Sequence, residues 1–162
     1  MIKILFICYG NICRSPMAEF IMKDLVEKAG LSGQFEIASA ATSSEEIWNG
    51  IGNPVYPPAR EELARHGIRC EGKRAVQLTR ADYDKYDYLI GMEAQNIRDI
   101  ERITGHKGGK IHMLLSFAGS NAGIRDPWYS GKFDETYRDV KTGCEALLGY
   151  LLKKREVFGS RG

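Results

Sequence analysis

The stretch "IKILFIC" at residues 2–8 constrains the fold more than any other. It is a nearly continuous apolar run rich in branched side chains, the pattern of a strand buried on both faces of a sheet. Such strands belong to parallel sheets, whose crossover helices cover both faces. The run ends at Cys8, a short loop "YGNICR" follows, and a helical pattern begins with "SPMAEFIMKDLVEKAG". Ser15 is expected to cap that helix, Pro16 to take its first position and Gly30 to end it.

The alternation continues along the chain. "QFEIASAA" reads as a second strand, "PPAREELARHG" as a short helix ending at Gly67, and "TRAD" at 79–82 as a capping box opening another short helix. "YDYLIGM" reads as a third strand, "EAQNIRDIERI" as a helix with Ile97, Ile100 and Ile103 at helical spacing, and "KIHMLLSF" as a fourth strand. The last helix starts near Asp134 and sets Phe133, Tyr137, Val140, Cys144, Leu147, Leu148 and Leu151 on one stripe. Its "DE" start and "KKR" end both suit the helix dipole. No repeat or linker interrupts the pattern. The expectation is one α/β domain over residues 1–162, three layers deep, with a central, mostly four-stranded parallel sheet and helices on both faces. Ligands in such sheets bind beyond the carboxyl ends of the strands, where Cys8 stands.

Charge narrows the partners. The chain has 23 basic and 21 acidic residues, a net charge of +2, with no basic block to bind nucleic acid. No segment is long enough to cross a membrane, and the apolar start lacks a small-residue cleavage site. The four cysteines, Cys8, Cys13, Cys70 and Cys144, are too few for a disulfide-stapled scaffold and suggest a reducing, cytoplasmic setting. No Cys-x-x-Cys occurs and the three histidines are scattered, so neither a metal nor another cofactor is expected. A monomer is the default expectation for oligomeric state.

The loop after the first strand carries the chemistry. A strand enters and a helix leaves, so backbone N–H groups and the helix N-terminus can face a bound anion. Gly10 and Asn11 tolerate the backbone angles of a concave loop. Arg14 brings a planar fork that matches two phosphate oxygens. A cysteine in that field is stabilised as the thiolate, which makes Cys8 a nucleophile facing a phosphoryl group. A lone cysteine after a strand is more often a small buried hydrophobe; the arginine and the loop around it tip the reading.

Cys-x5-Arg-Ser resembles the signature of protein tyrosine phosphatases. "CYGNICRSP" near the N-terminus and "DPWY" at Asp126–Tyr129 resemble the low-molecular-weight protein tyrosine phosphatases in particular. "SAATS" at 39–43, "GNP" at 52–54 and "RHGI" at 65–68 resemble that family's intermediate segments, so the likeness spans essentially the whole chain. The resemblance implies a phosphotyrosine phosphatase working through a cysteinyl-phosphate, without metal, on phosphoprotein substrates. It implies Cys8 as nucleophile, Arg14 as phosphate clamp and Asp126 as general acid and base. The phosphate-binding loop comprises Tyr9, Gly10, Asn11, Ile12, Cys13 and Ser15, with Ser15 donating to the Cys8 sulfur. Ser39 and His66 join Asn11 and Ser15 in supporting the loop. Tyr9, Trp48, Trp128 and Tyr129 line the substrate pocket. Cys13 stands where the family has a redox partner for Cys8.

Other readings apply to several of these residues. Asp-Pro alone is a turn signal, His66 suits a helix C-terminus, and Cys144 belongs to an apolar stripe. Cys70 reads as an ordinary loop thiol, and His106 and His112 show no function. Gly67–Arg74 matches Gly-x4-Gly-Lys but puts Arg74 where Ser or Thr would hold magnesium, and it follows a helix. An arsenate reductase would need a close downstream cysteine pair, which the chain lacks. A non-catalytic phosphotyrosine-binding module would not need nucleophile, arginine and acid together. Family members with two adjacent tyrosines after Asp-Pro can be phosphorylated there; here Trp128 fills the first position and leaves only Tyr129.

Overall fold

A computed structural model describes residues 1–154. The central strand is β1 (Ile2–Cys8), followed by α1 (Arg14–Lys28), β2 (Phe35–Ala41) and a hairpin of two-residue strands, β3 (Ile47–Trp48) and β4 (Ile51–Gly52). Then come α2 (Pro57–Arg65), α3 (Asp82–Lys85), β5 (Tyr88–Gly91), α4 (Ala94–Thr104) and β6 (Ile111–Met113). The short α5 (Pro127–Ser130) and the long α6 (Phe133–Lys153) complete the described chain. The four-stranded sheet runs β2-β1-β5-β6, with every neighbouring pair parallel.

Alternation along β1 divides the core. Ile2, Ile4, Phe6 and Cys8 join one cluster with residues of α1, α2 and α6, including Met17, Leu63, Val140 and Leu147. Leu5 and Ile7 join the other, with Leu89 and with Ile100 of α4. Both faces of β1 are therefore covered, which is why its sequence reads as an unbroken apolar run. After β1 the chain goes first to β2 on one side and later to β5 on the other. The crevice at this switch lies beyond Cys8 and Gly91, the carboxyl ends of β1 and β5. Among the described residues no helix is long and apolar enough to cross a membrane.

Several local expectations need correction. Ser15 does not cap α1: the helix begins at Arg14, Cys13 is its N-cap, and no side chain caps it. The Ser15 hydroxyl is used by the loop instead, at 3.1 Å from Cys8 Sγ. The fourth strand stops at Met113 and turns into a 3-10 helix over Leu114–Ala118. Cys70 is buried at 4% exposure and belongs to the core. The capping box at Thr79–Asp82 does not form: Asp82 Oδ2 accepts the Thr79 N–H at 2.8 Å, but α3 begins at Asp82 with Ala81 as its N-cap and no side chain caps it. Arg155, the last of the three basic residues at the end of α6, lies outside the described residues.

Gly52 shows how closely the β3–β4 hairpin rests on the segment before α3. A Cβ built on Gly52 falls 1.9 Å from the Ala75 carbonyl oxygen. Two backbone bonds, Ala75 N–H to Asn53 O at 2.9 Å and Asn53 N–H to Glu46 O at 2.8 Å, hold the strands at that distance. Gly52→Ala must push them apart, and overpacking of this kind costs about 1–3 kcal/mol. A thermal melt should show the loss; an unchanged melting temperature would mean that the hairpin is free to shift.

Candidate active site

The loop between β1 and α1 is held from outside by its carbonyls. The carbonyls of Cys8, Tyr9 and Ile12 accept N–H groups from Thr42, Ser43 and Tyr56 at 3.0, 3.0 and 2.9 Å. Because a trans peptide points its C=O and N–H oppositely, the amides of Tyr9, Gly10 and Cys13 face away from those outer partners. The first backbone bond of α1 runs from Met17 N–H to Cys13 O. The N–H groups of Arg14 and Ser15 therefore have no acceptor within the helix, the usual state of a helix start. Pro16 sits in that first turn without losing a bond.

Asn11 sets the curvature. Its φ is 59°, left-handed for a residue with a side chain. Its amide nitrogen donates to Ser15 Oγ at 2.7 Å and its amide oxygen accepts Val76 N–H at 3.1 Å. Its backbone N–H points to Cys8 Sγ at 3.3 Å. Cys8 Sγ thus meets two groups of the same turn of chain, the Asn11 N–H and the Ser15 hydroxyl.

Arg14 is 2% exposed. Its Nη1 donates to a Glu93 oxygen, and to the Ile124 carbonyl at 2.9 Å. Its Nη2 stands 3.7 Å from Asp126 Oδ2. Burial pulls the Arg14 pKa down, but the charges of Cys8, Glu93 and Asp126 and the Glu93 hydrogen bond outweigh it, and the net shift is upward. Glu93 also N-caps α4, in a capping box with Asn96. Asp126 caps α5, its Oδ1 accepting Trp128 N–H at 3.0 Å.

These groups surround one pocket of about 170 Å³. Cys8, the loop from Tyr9 to Arg14, Asp126, Trp128 and Tyr129 line it. Trp128 also packs on Tyr56 with ring centres 4.7 Å apart, whereas Tyr129 is 88% exposed. Cys13 is buried, and burial followed by the charge of Cys8 pushes its thiol pKa far up. Among the described residues no cluster of metal-ligating side chains occurs.

Two expected residues stand elsewhere. Trp48 does not line the pocket; it points outward from the hairpin at 79% exposure, next to a turn in which Asn49 and Gly50 both have positive φ. The same loop contributes Glu45 and Glu46 to the pocket instead. His66 ends α2, where its Nε2 meets Glu62 Oε2 at 3.0 Å and its ring stacks on Tyr137 at 3.7 Å. It braces α2 against α6 rather than the loop.

Behind the loop lies a buried ionic cluster instead. Ser39 Oγ donates to Glu19 Oε1 at 2.6 Å, Lys23 Nζ to Glu19 Oε2 at 2.6 Å, and Lys73 Nζ to the Ser39 carbonyl at 2.9 Å. Lys73 Nζ is 3.6 Å from Glu19 Oε1, with side-chain exposures of 11% and 6%. Burial lowers the Lys73 pKa, opposed by the charges of Glu19 and Cys8. Lys73 lies in the polar run "EGKR" and Glu19 in a helix, so neither stands out by spacing or composition. Glu19→Gln should leave Lys73 buried without an anion and cost about 3 kcal/mol, the low end for a broken buried pair. Urea unfolding would measure this, and Lys73→Met added to Glu19→Gln should recover part of the loss.

A family model described as low molecular weight phosphotyrosine protein phosphatase matches residues 3–157. The curated Bacillus subtilis protein low molecular weight protein-tyrosine-phosphatase YfkJ is 41% identical over 160 residues, covering 97% of this chain and 100% of that one. The crystal structure of YfkJ matches with a TM-score of 0.89 at 42% identity, covering 96% of this chain and 97% of that one. The low molecular weight protein tyrosine phosphatase SP-PTP of Streptococcus pyogenes matches at 0.81 and 37% identity, over 93% of each chain. A Drosophila arginine phosphatase, DARP, matches at 0.81 and 29% identity, over 92% of this chain and 97% of that one.

Proposed function

The chain belongs to the low molecular weight phosphotyrosine protein phosphatase family, and from that premise we propose that it hydrolyses phosphotyrosine in proteins through a cysteinyl-phosphate. The observation that carries this reading is the convergence of Cys8, Arg14 and Asp126 on one pocket. The Cys8 thiolate attacks phosphorus while the bond to the tyrosyl oxygen breaks. Protonated Asp126 delivers its proton to that oxygen. Water then attacks the phosphocysteine, Asp126 takes a water proton, and the sulfur leaves as thiolate, accepting a hydrogen bond from Ser15. Arg14 Nη1 is committed to Glu93 and Ile124. Its remaining donors are the ones that hold phosphate oxygens. Residues 1–162 act as one catalytic domain in this reading.

The aromatic walls Tyr9, Trp128 and Tyr129 and the apolar Ile12 favour a phenyl ring over the shorter phosphoserine. Structural relatives include an arginine phosphatase, so the leaving group must be tested directly. Matched peptides carrying phosphotyrosine, phosphoarginine or phosphoserine should be cleaved in that order of preference. Faster turnover of phosphoarginine would overturn the assignment. Cys8→Ser should reduce turnover to background, because its hydroxyl is not ionised at neutral pH. Asp126→Asn should slow single turnovers of a phosphotyrosine peptide about 10²–10⁴-fold. It should slow p-nitrophenyl phosphate less, whose leaving group departs unprotonated. Equal losses would reduce Asp126 to the cap of α5.

Cys13 completes the proposal as a redox partner. Peroxide oxidises the Cys8 sulfur to the sulfenic acid, with release of water or hydroxide. Attack by Cys13 sulfur then forms the disulfide and releases water. After brief peroxide treatment, Cys13→Ser should regain less activity with thiol reductant than the wild type. The four unpaired thiols support a cytoplasmic setting.

A further inference from the structure

We propose that Glu45 and Glu46 select substrates with a basic side chain next to the phosphotyrosine. This rests on the phosphotyrosine reading of the pocket. A site for a dianionic phosphate gains nothing from carboxylates at its mouth unless the substrate brings positive charge to them. Glu93 and Asp126 face the Arg14 guanidinium. Glu45 and Glu46 line the same pocket, yet neither is in an ion pair among the described residues.

Both carboxylates are held in place by neutral donors. Tyr9 Oη donates to Glu45 Oε1 at 2.9 Å, and Asn53 Nδ2 donates to Glu46 Oε1 at 2.9 Å. The second oxygen of each has no partner among the described residues. Glu46 lies over the loop, where a Cβ on Gly10 would meet its Cγ at 3.3 Å. The Glu45 hydrogen bond and the charges of Glu45 and Asp99 raise the Tyr9 pKa. The mouth is thus a preorganised negative patch beside the phosphate cradle.

The surface beyond the mouth continues as a place for polypeptide. Tyr9 and Glu45 also line an adjoining groove of about 620 Å³, together with Thr42, Gln77, Gln95, Asp99 and Arg102, whose guanidinium is paired with Asp99 at 3.4 Å and leaves Glu45 as the unpaired charge there. Glu45 stands between pocket and groove, within reach of a side chain one or two positions from the phosphotyrosine.

The test separates binding from catalysis. Three fluorescent phosphotyrosine peptides, identical except for flanking Arg, Gln or Glu, are titrated by anisotropy against Cys8→Ser protein. The same titrations are run with Glu45→Gln and Glu46→Gln added. The Arg-flanked peptide should bind roughly 10-fold tighter than the Gln-flanked one, the scale of two exposed charge pairs, and the Glu-flanked one weaker still. That preference should shrink with salt and fall to about 2-fold or less in the combined Glu45→Gln, Glu46→Gln background. Equal binding of the three peptides, or an Arg preference that survives both substitutions, overturns the inference. Turnover of the peptides by wild-type protein tests the phosphatase reading separately: its absence would sink that reading while the anisotropy still decides the role of the carboxylates.

Discussion

A guanidinium that is 2% exposed cannot stay buried without anions and acceptors around it, and much of this molecule is arranged to meet that demand. Arg14 opens α1, Glu93 opens α4, and Asp126 opens α5. Three helix starts are thereby drawn to one point at the carboxyl end of the sheet. The Ile124 carbonyl adds a fourth attachment. The parallel order β2-β1-β5-β6 makes this meeting feasible, because the segments following β1 and β5 leave the sheet side by side. Removing the arginine would strand carboxylates; removing Glu93 would strand the arginine.

A second ionic cluster lies behind the first. Lys73, Glu19 and Ser39 link the segment before α3, the helix α1 and the strand β2. Val76 fixes the Asn11 side chain from that same segment. The Asn11 side chain that curves the loop is thus fixed by chain more than sixty residues downstream. The two clusters differ in openness. The first borders the pocket and has donors to spare, whereas the second has its charges satisfied internally.

How much of this was legible in the sequence follows from how local each signal is. β1, β2 and β5 appeared because burial on both faces leaves an apolar run, and α4 and α6 because amphipathic spacing persists over several turns. The fourth strand is shorter than its sequence suggests: "MLLSF" has the residues of a strand, but its buried Leu114 is set in a 3-10 turn under Gly143 of α6. Cys8, Arg14 and Asp126 were legible through short motifs whose residues are close in chain or in a fixed dipeptide. The support was not. His66 and Lys73 are seven positions apart, both polar, and only the tertiary path decides that Lys73 reaches Ser39 and Glu19 while His66 stacks on Tyr137. Trp48 and Glu46 differ by two positions in a hairpin too short to show any period, and the chain turned the carboxylate inward to the pocket and the ring outward.

The division of the Asp126 carboxylate ties two kinds of recognition together. One oxygen caps the short helix that carries Trp128; the other faces the guanidinium of Arg14. The segment carrying Trp128 and the Arg14 guanidinium therefore share one rigid carboxylate, whose two oxygens turn together about the Cβ–Cγ bond. In the proposed reaction, a ring settling against Trp128 and a phosphate settling on Arg14 both act on the orientation of the same acid. Under that proposal the acid works as a coincidence detector, its plane fixed from both sides only when both halves of the substrate are seated together.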